Sequence, residues 1–261
     1  MRGQGGCLDL HKDSGQLALR KAGLYEEFLK HARPEGETLR IFDPDGKVLL
    51  DESAEDGGSR PADFEGRPEI DRAKLREILL DSLEPGSIHW NAKLEQVKLS
   101  WNQKYDLHFQ DRVETSFDMV IGADGAWSKV RELLSEEKPF YAGVGGLDCR
   151  ISAIDTAHPS LSKRVGQGMC LTLGQDKGIL AQRNGDGSVR LYGFARVPEA
   201  WYNKWDLEAL PAEMVKEQVV NEWFADWQEE AKDLILKSDA EIAMRPMYML
   251  PIGFKWTRAP G

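Results

Sequence analysis

The chain has 261 residues, with 44 acidic against 34 basic side chains, a formal net charge of −10 and 41% hydrophobic residues. That length accommodates one large domain or two smaller ones, and the acidic balance argues against nucleic acid or anionic membranes as partners, since both need a basic footprint. No apolar run approaches the roughly 20 residues that span a bilayer, and Met1 to Gly6 lacks the apolar core of a signal peptide.

Cys7, Cys149 and Cys170 are odd in number and widely spaced. They suggest no disulfide framework and point to a reducing compartment, the cytoplasm. The five histidines show no spacing that would place two ligands on one helix or strand face, so no metal site is expected.

Gly3, Gly5 and Gly6 superficially match a phosphate-binding loop, but such a loop must follow a buried strand, and only Met1 and Arg2 precede this one. Asp13 or Ser14 can cap a helix running to about Ala22, with Gly23 as its stop. Tyr25 to His31 adds another helical turn or two. Ile41-Phe42, the turn Asp43-Pro44-Asp45-Gly46 and Val48-Leu49-Leu50 form a hairpin signal. Asp51 to Pro68 is polar and reads as a long loop.

Asp71 to Leu83 predicts a helix with the apolar stripe Leu75, Ile78 and Leu79. Arg72 and Arg76 lie one turn apart on a neighbouring face, a pattern that a solvated flank also explains. Alternating runs at Ile88–Trp90, Leu94–Leu99, Tyr105–Phe109 and Phe117 predict a β-meander. It leads to a short apolar run, Met119 to Ile121, read as a buried strand. Gly122-Ala123-Asp124-Gly125 turns from it into a helix over Ala126 to Leu134. A strand that feeds a helix through a glycine turn is where open α/β sheets place ligands, because the helix start offers free N–H groups.

Leu147 to Ile154 is a strand candidate. Gly178–Gln182 and Ser188–Val197 flank Asn184-Gly185-Asp186-Gly187, the clearest hairpin turn in the chain. In the second arm Val189, Leu191, Ala195 and Val197 alternate with Arg190, Tyr192, Phe194 and Arg196, a mixed aromatic and cationic face suited to a pocket wall or to solvent. Two helices follow, the first starting near Pro211 and the second with Asp226 and Glu229 as a capping box. Trp223, Phe224, Trp227, Leu234 and Leu236 are assigned to the core. Ala240 to Ile252 reads as a strand bent by Pro246 and Pro251.

In this order the blocks resemble the FAD-dependent aromatic-ring-hydroxylase-type monooxygenases, closest to the tetracycline-destructase branch and its fungal relatives. Four blocks carry the resemblance: Gly5-Gly6-Cys7-Leu8-Asp9-Leu10-His11, the arginine helix Arg72-Ala73-Lys74-Leu75-Arg76, Gly122-Ala123-Asp124-Gly125 with Ser128 and Arg131, and Pro198-Glu199-Ala200-Trp201. The resemblance implies a mixed α/β fold: an incomplete FAD/NAD(P)-binding Rossmann-like domain with an inserted, mainly antiparallel substrate sheet. On that pattern residues 1–135 belong to the FAD-binding domain, except that the hairpin at 39–50 joins the substrate sheet. Residues 136–250 form the substrate domain, and 251–261 begin the return.

The resemblance also implies a reaction in which NADPH or NADH reduces FAD and molecular oxygen is used to hydroxylate a small molecule, aromatic or polycyclic. The cofactor supplies the chemistry, so no catalytic side chain is singled out. By position, Gly6, Leu8 and Asp9 match the segment along the cofactor, Arg72 and Arg76 the helix beside the flavin, and Asp124 and Gly125 the motif linked to FAD. Gln175 and Arg196 align with substrate-facing positions. The family's N-terminal Gly-x-Gly-x-x-Gly unit and its later Gly-Asp motif have no counterpart here. A truncated monomer that holds FAD weakly is therefore expected, the alternative being a non-catalytic module that binds a small molecule or a protein.

Overall fold

The computed structural model describes residues 5–52 and 66–256, so most of the expected loop over Asp51–Pro68 lies outside the described residues. The chain divides into two compact units, residues 1–83 with 143–246, and residues 84–142 with 247–261.

The first unit opens with strand β1 (Cys7–Asp9), a π-helical turn over Lys12–Gln16, and helices α1 (Leu17–Lys21) and α2 (Tyr25–Leu29). Gly23 adopts φ +72° just past α1, as its role of helix stop requires. Neither Asp13 nor Ser14 caps this segment: His11 occupies the N-cap with no side-chain bond. The hairpin of β2 (Leu39–Phe42) and β3 (Val48–Asp51) forms around Asp43, whose carboxylate accepts the Lys47 N–H at 2.8 Å. Strand β4 (Glu69–Asp71) pairs antiparallel with β1 and runs straight into α3 (Arg72–Asp81). Only Ile78 of its predicted stripe is fully buried, in a small core with Leu19, Phe28 and Ile70, while Leu79 is exposed.

Three strands of the second unit, β5 (Leu94–Leu99), β6 (Tyr105–Phe109) and β7 (Val113–Phe117), form the expected antiparallel meander, without Ile88–Trp90. The expected strand at Met119–Ile121 does not form. Met119 is 65% and Ile121 81% exposed, and no regular strand is assigned there. An extended run satisfies its backbone N–H and C=O groups only beside another strand, and none among the described residues pairs with it. The expected helix at Ala126–Leu134 shrinks to a single 3₁₀ turn at Arg131–Leu133.

A seven-stranded sheet dominates the first unit, ordered β12-β8-β11-β10-β9-β2-β3. Its members not yet introduced are β8 (Phe140–Ile151), β9 (Met169–Gly174), β10 (Lys177–Arg183), β11 (Val189–Arg196) and β12 (Ala243–Met249). The outer ends of β8 and β12 continue into the second unit. Strands β8 to β11 pair antiparallel and β2 meets β9 in parallel. Helices α4 (Ile154–Ala157) and α5 (Pro159–Val165) lie between β8 and β9, a stretch for which the sequence pattern gave no element.

One face of this sheet is the core. Period-two alternation sends Leu147, Cys149 and Ile151 of β8 and Val189, Leu191 and Ala195 of β11 to the same side. There they meet α6 (Ala212–Trp223) and α7 (Glu229–Leu236) through Val219, Phe224, Leu234 and Ile235, all buried. Each such side chain contributes about 1.5–3 kcal/mol on leaving water. The expected capping box of α7 is absent: Gln228 is the N-cap, and Asp226 instead accepts a hydrogen bond from Lys177 at 2.6 Å. Among the described residues no helix is long and apolar enough to cross a membrane.

Candidate functional site

The opposite face of the sheet carries the polar half of the same alternation. Arg190 on β11 and Asp148 on β8 sit on cross-strand partners displaced by two residues, since Arg190 pairs with Arg150 and Tyr192 with Asp148. Asp148 is 3% exposed, yet it holds two guanidiniums. Arg190 reaches it with Nε at 2.5 Å and Nη2 at 2.6 Å, and Arg245 of β12 with Nε and Nη2 both at 3.0 Å. A carboxylate so enclosed is tolerable only because both oxygens meet cations.

An open cleft of about 720 Å³ lies over this face. One side is the sheet. The other includes Gly5 and Gly6, with Asp71 and Ala73 from the start of α3. The glycines are needed here. A Cβ on Gly5 would lie 2.9 Å from Arg190 Nη1, and Gly6 has φ +89° with the Tyr192 hydroxyl close by. The Gly6 carbonyl accepts the Arg72 N–H at 3.0 Å, which ties the glycine segment to the first turn of α3.

Behind the glycines a buried polar cluster pins the β1–β4 ribbon to the end of β10. Arg33 Nη2 donates to Glu69 Oε2 at 3.0 Å, to the Arg183 carbonyl at 2.8 Å and to Cys7 Sγ at 3.1 Å. The Cys7 thiol donates to Asp71 Oδ1 at 3.1 Å, and Asp71 also accepts the Gly185 N–H at 2.9 Å. Gln182 donates to Glu69 Oε1. Burial pushes the Glu69 carboxyl up to about 8, opposed by Arg33 and reinforced by Asp9 across the ladder. Burial and the bond to Asp71 also raise the Cys7 thiol, so it is a structural donor and not a nucleophile.

The residues singled out from sequence fall in several places. Gly6 lines the cleft and Arg72 stands between two lining residues, Asp71 and Ala73. Arg76 is half-buried one turn further along α3. Leu8 pairs with Ile70 inside the β1–β4 ladder. Asp9 is turned to Glu69 and to Arg67 Nη1 at 3.3 Å. Gln175 and Arg196 lie elsewhere: Gln175 is exposed in the β9–β10 turn, and Arg196 pairs with Asp176 there at 2.9 Å. Six residues of β11 separate Arg196 from Arg190, about 20 Å along an extended strand.

Asp124 and Gly125 belong to the second unit, where they close a compact turn. Asp124 accepts the Lys129 N–H at 2.7 Å, and the Gly125 carbonyl accepts that of Ser128 at 3.1 Å. Slight burial pushes the Asp124 carboxyl up, but bonds from Ser128 and backbone N–H groups outweigh it and hold the group below the usual range. Gly122 is obligatory, since a Cβ there would meet Val130 Cβ at 2.7 Å.

Sequence reasoning missed Asp148 and Arg245. Asp148 alternates with Leu147 and Cys149 in a strand that was recognised, so its outward face was readable. Its partners were not, being 42 and 97 residues away.

Known proteins resemble this chain in sequence and in fold. The chain is 31% identical over 288 aligned residues to the monooxygenase asqM of Emericella nidulans, covering 94% of this chain and 63% of that protein. It is 29% identical to the monooxygenase penA of Penicillium thymicola, covering 95% of this chain and 64% of that protein. It thus spans under two thirds of the length of these relatives. Among solved structures, HpxO of Klebsiella pneumoniae complexed with FAD and uric acid superposes with a TM-score of 0.69 at 15% identity, over 96% of this chain and 60% of that one. The tetracycline destructase Tet(51) gives 0.61 at 19% identity, over 100% of this chain and 63% of that one. No protein-family profile matches the chain.

Proposed function

We propose that this chain, a relative of the FAD-dependent monooxygenases, forms the substrate-side part of a flavin site, with the cleft over Asp148 receiving a small-molecule substrate. The observation that carries this reading is the seating of the Gly5–Gly6 segment on the Arg190–Tyr192 face of the sheet, with α3 and its arginines hydrogen-bonded to it through Arg72.

The residues present fit part of a flavin. Gly5 and Gly6 bring bare backbone to the cleft, and Arg72 and Arg76 supply cations one helical turn apart. FAD, once reduced by NADPH or NADH, would supply oxygen activation. The protein's share is positional. Gly6 and Leu8 would lie along the cofactor, and Arg76 would hold it through charge-assisted hydrogen bonds. Asp9 is committed to Glu69 and Arg67, so its part would be to fix the ribbon that carries the glycines. Gln175 and Arg196 would meet only the far end of a long substrate.

The division into an FAD-binding part over 1–135, a substrate part over 136–250 and a return from 251 is proposed on the same basis, as are a monomeric state and a cytoplasmic location. Titrating the purified chain with FAD and following flavin fluorescence tests the reading. Weak, saturable binding that Arg76→Ala abolishes is expected. A flat titration, or one that Arg76→Ala leaves unchanged, would overturn it.

A further inference from the structure

We infer that the cleft is electrically polarised along the strands, and that it selects a dipolar small molecule with an acceptor or anionic oxygen at one end and a cationic nitrogen at the other. The inference rests on the cleft being a small-molecule site, as proposed above, and adds the class of ligand it takes.

The basic end is built by Asp148. Arg190 meets Oδ1 with Nε and Oδ2 with Nη2, and Arg245 meets Oδ2 with both Nε and Nη2. The Nη1 edge of each guanidinium lies outside that clamp. On Arg190 this edge points at Gly5, where a Cβ would come within 2.9 Å. Arg245 is 53% exposed at the cleft, so its remaining N–H groups are open to a ligand. Two guanidiniums against one carboxylate leave one positive charge, and guanidinium stays protonated at every working pH. The clamp also fixes both planes, so little side-chain entropy remains to be lost on binding.

The other end is acidic. Four residues along from Asp148, about 13 Å in extended chain, Ser152 donates its N–H at 3.2 Å and its hydroxyl at 2.5 Å to Asp239. Those donors are neutral, so the Asp239 charge is not cancelled by them. Glu241 stands exposed nearby, four residues before Arg245 on the incoming chain. Arg150 is matched by Asp186 at 2.5 Å, and Asp71 has Arg33 at 3.8 Å, so neither acid adds much net charge. The cleft therefore runs from a net positive to a net negative end. A simple anion meets repulsion at the acidic end and a simple cation at the basic end. A molecule carrying both charges at matching separation satisfies both.

Three ligands of equal chain length separate the cases: 8-aminooctanoate, octanoate and octylamine, titrated by calorimetry into the purified chain. The zwitterion is expected to bind at least about 10-fold more tightly than either singly charged analogue, a difference of about 1.4 kcal/mol. In Arg245→Gln its affinity should fall to that of octylamine. In the double variant Asp239→Asn, Glu241→Gln it should fall to that of octanoate. Arg245 and Glu241 are exposed, Asp239 is half-buried and none of the three belongs to the core, so these substitutions leave the core intact, and circular dichroism checks the fold. Equal binding of the three ligands, or an unchanged preference in Arg245→Gln, would overturn the inference. FAD titration run in parallel keeps the two claims apart. Flavin binding without zwitterion preference sinks only the polarity, and the preference without flavin binding sinks only the monooxygenase reading.

Discussion

Asp9 and Glu69 face each other in antiparallel register across the β1–β4 ladder, and Glu69 is 1% exposed. Two carboxyl groups so placed cannot both ionise cheaply, even with Arg33 at 3.0 Å from one of them. Burial, opposed by Arg33 and reinforced by Asp9, holds the Glu69 carboxyl at about 8, above its ordinary value near 4.5. The folded state binds a proton that the unfolded chain releases. Stability from this group is complete below about pH 4.5 and is lost as pH rises towards and through 8. Thermal unfolding of the native chain should therefore shift down between pH 6 and 9, by on the order of 5 °C. In Glu69→Gln, which keeps a neutral acceptor in place, this slope should flatten. An equally steep slope in the variant would exclude Glu69 as its source.

Gly168 tests the junction between β2 and the start of β9. A Cβ there would sit 2.2 Å from the Thr38 carbonyl oxygen and 2.5 Å from that of Gly36. Both are backbone atoms and cannot swing aside. Gly168→Ala should cost about 2–3 kcal/mol, in the range of overpacked cores, read as a lower midpoint in urea. Wild-type stability in this variant would mean the loop is looser than the geometry indicates.

Phe224 is the centre of the aromatic group under the sheet, fully buried with the Trp227 ring at 4.7 Å and the Trp223 ring at 6.1 Å. Truncation to alanine leaves a void that rigid neighbours cannot fill. A loss of about 3–5 kcal/mol in urea unfolding is expected. A loss below about 1 kcal/mol would show that the tryptophans repack.

Arg196 offers the contrast. Its ion pair with Asp176 is exposed on both sides, and such pairs contribute about 0–1 kcal/mol. Arg196→Ala should leave the melting temperature within about 2 °C of wild type. A larger drop would give the pair a structural weight that solvent exposure argues against.

Much of the fold was legible wherever one contiguous stretch carries its own instruction. The Asn184–Gly187 turn joins β10 to β11, and the alternation of Val189, Leu191 and Ala195 with Arg190, Tyr192 and Phe194 correctly assigns the two faces. Arg72–Asp81 is helical, and the β5–β7 meander forms as its pattern predicts. The same logic failed at Met119–Ile121, because an apolar triplet records a tendency to be a strand but not the presence of a neighbour to pair with. It failed again at Asp226, whose spacing to Glu229 fits a cap while a lysine 49 residues earlier takes the carboxylate.

The candidate site divides in the same way. From the sequence came the glycine segment and the arginine helix, through their resemblance to a known family, and the outward set on β11, through its alternation of residue types. Only the tertiary structure brought Gly5 against Arg190, closed Asp148 between Arg190 and Arg245, and set Asp9 against Glu69 instead of towards the cleft. Those pairings join positions tens of residues apart or more. They are chosen by which buried charges must find a counter-charge once the sheet is assembled, and no local period encodes that choice.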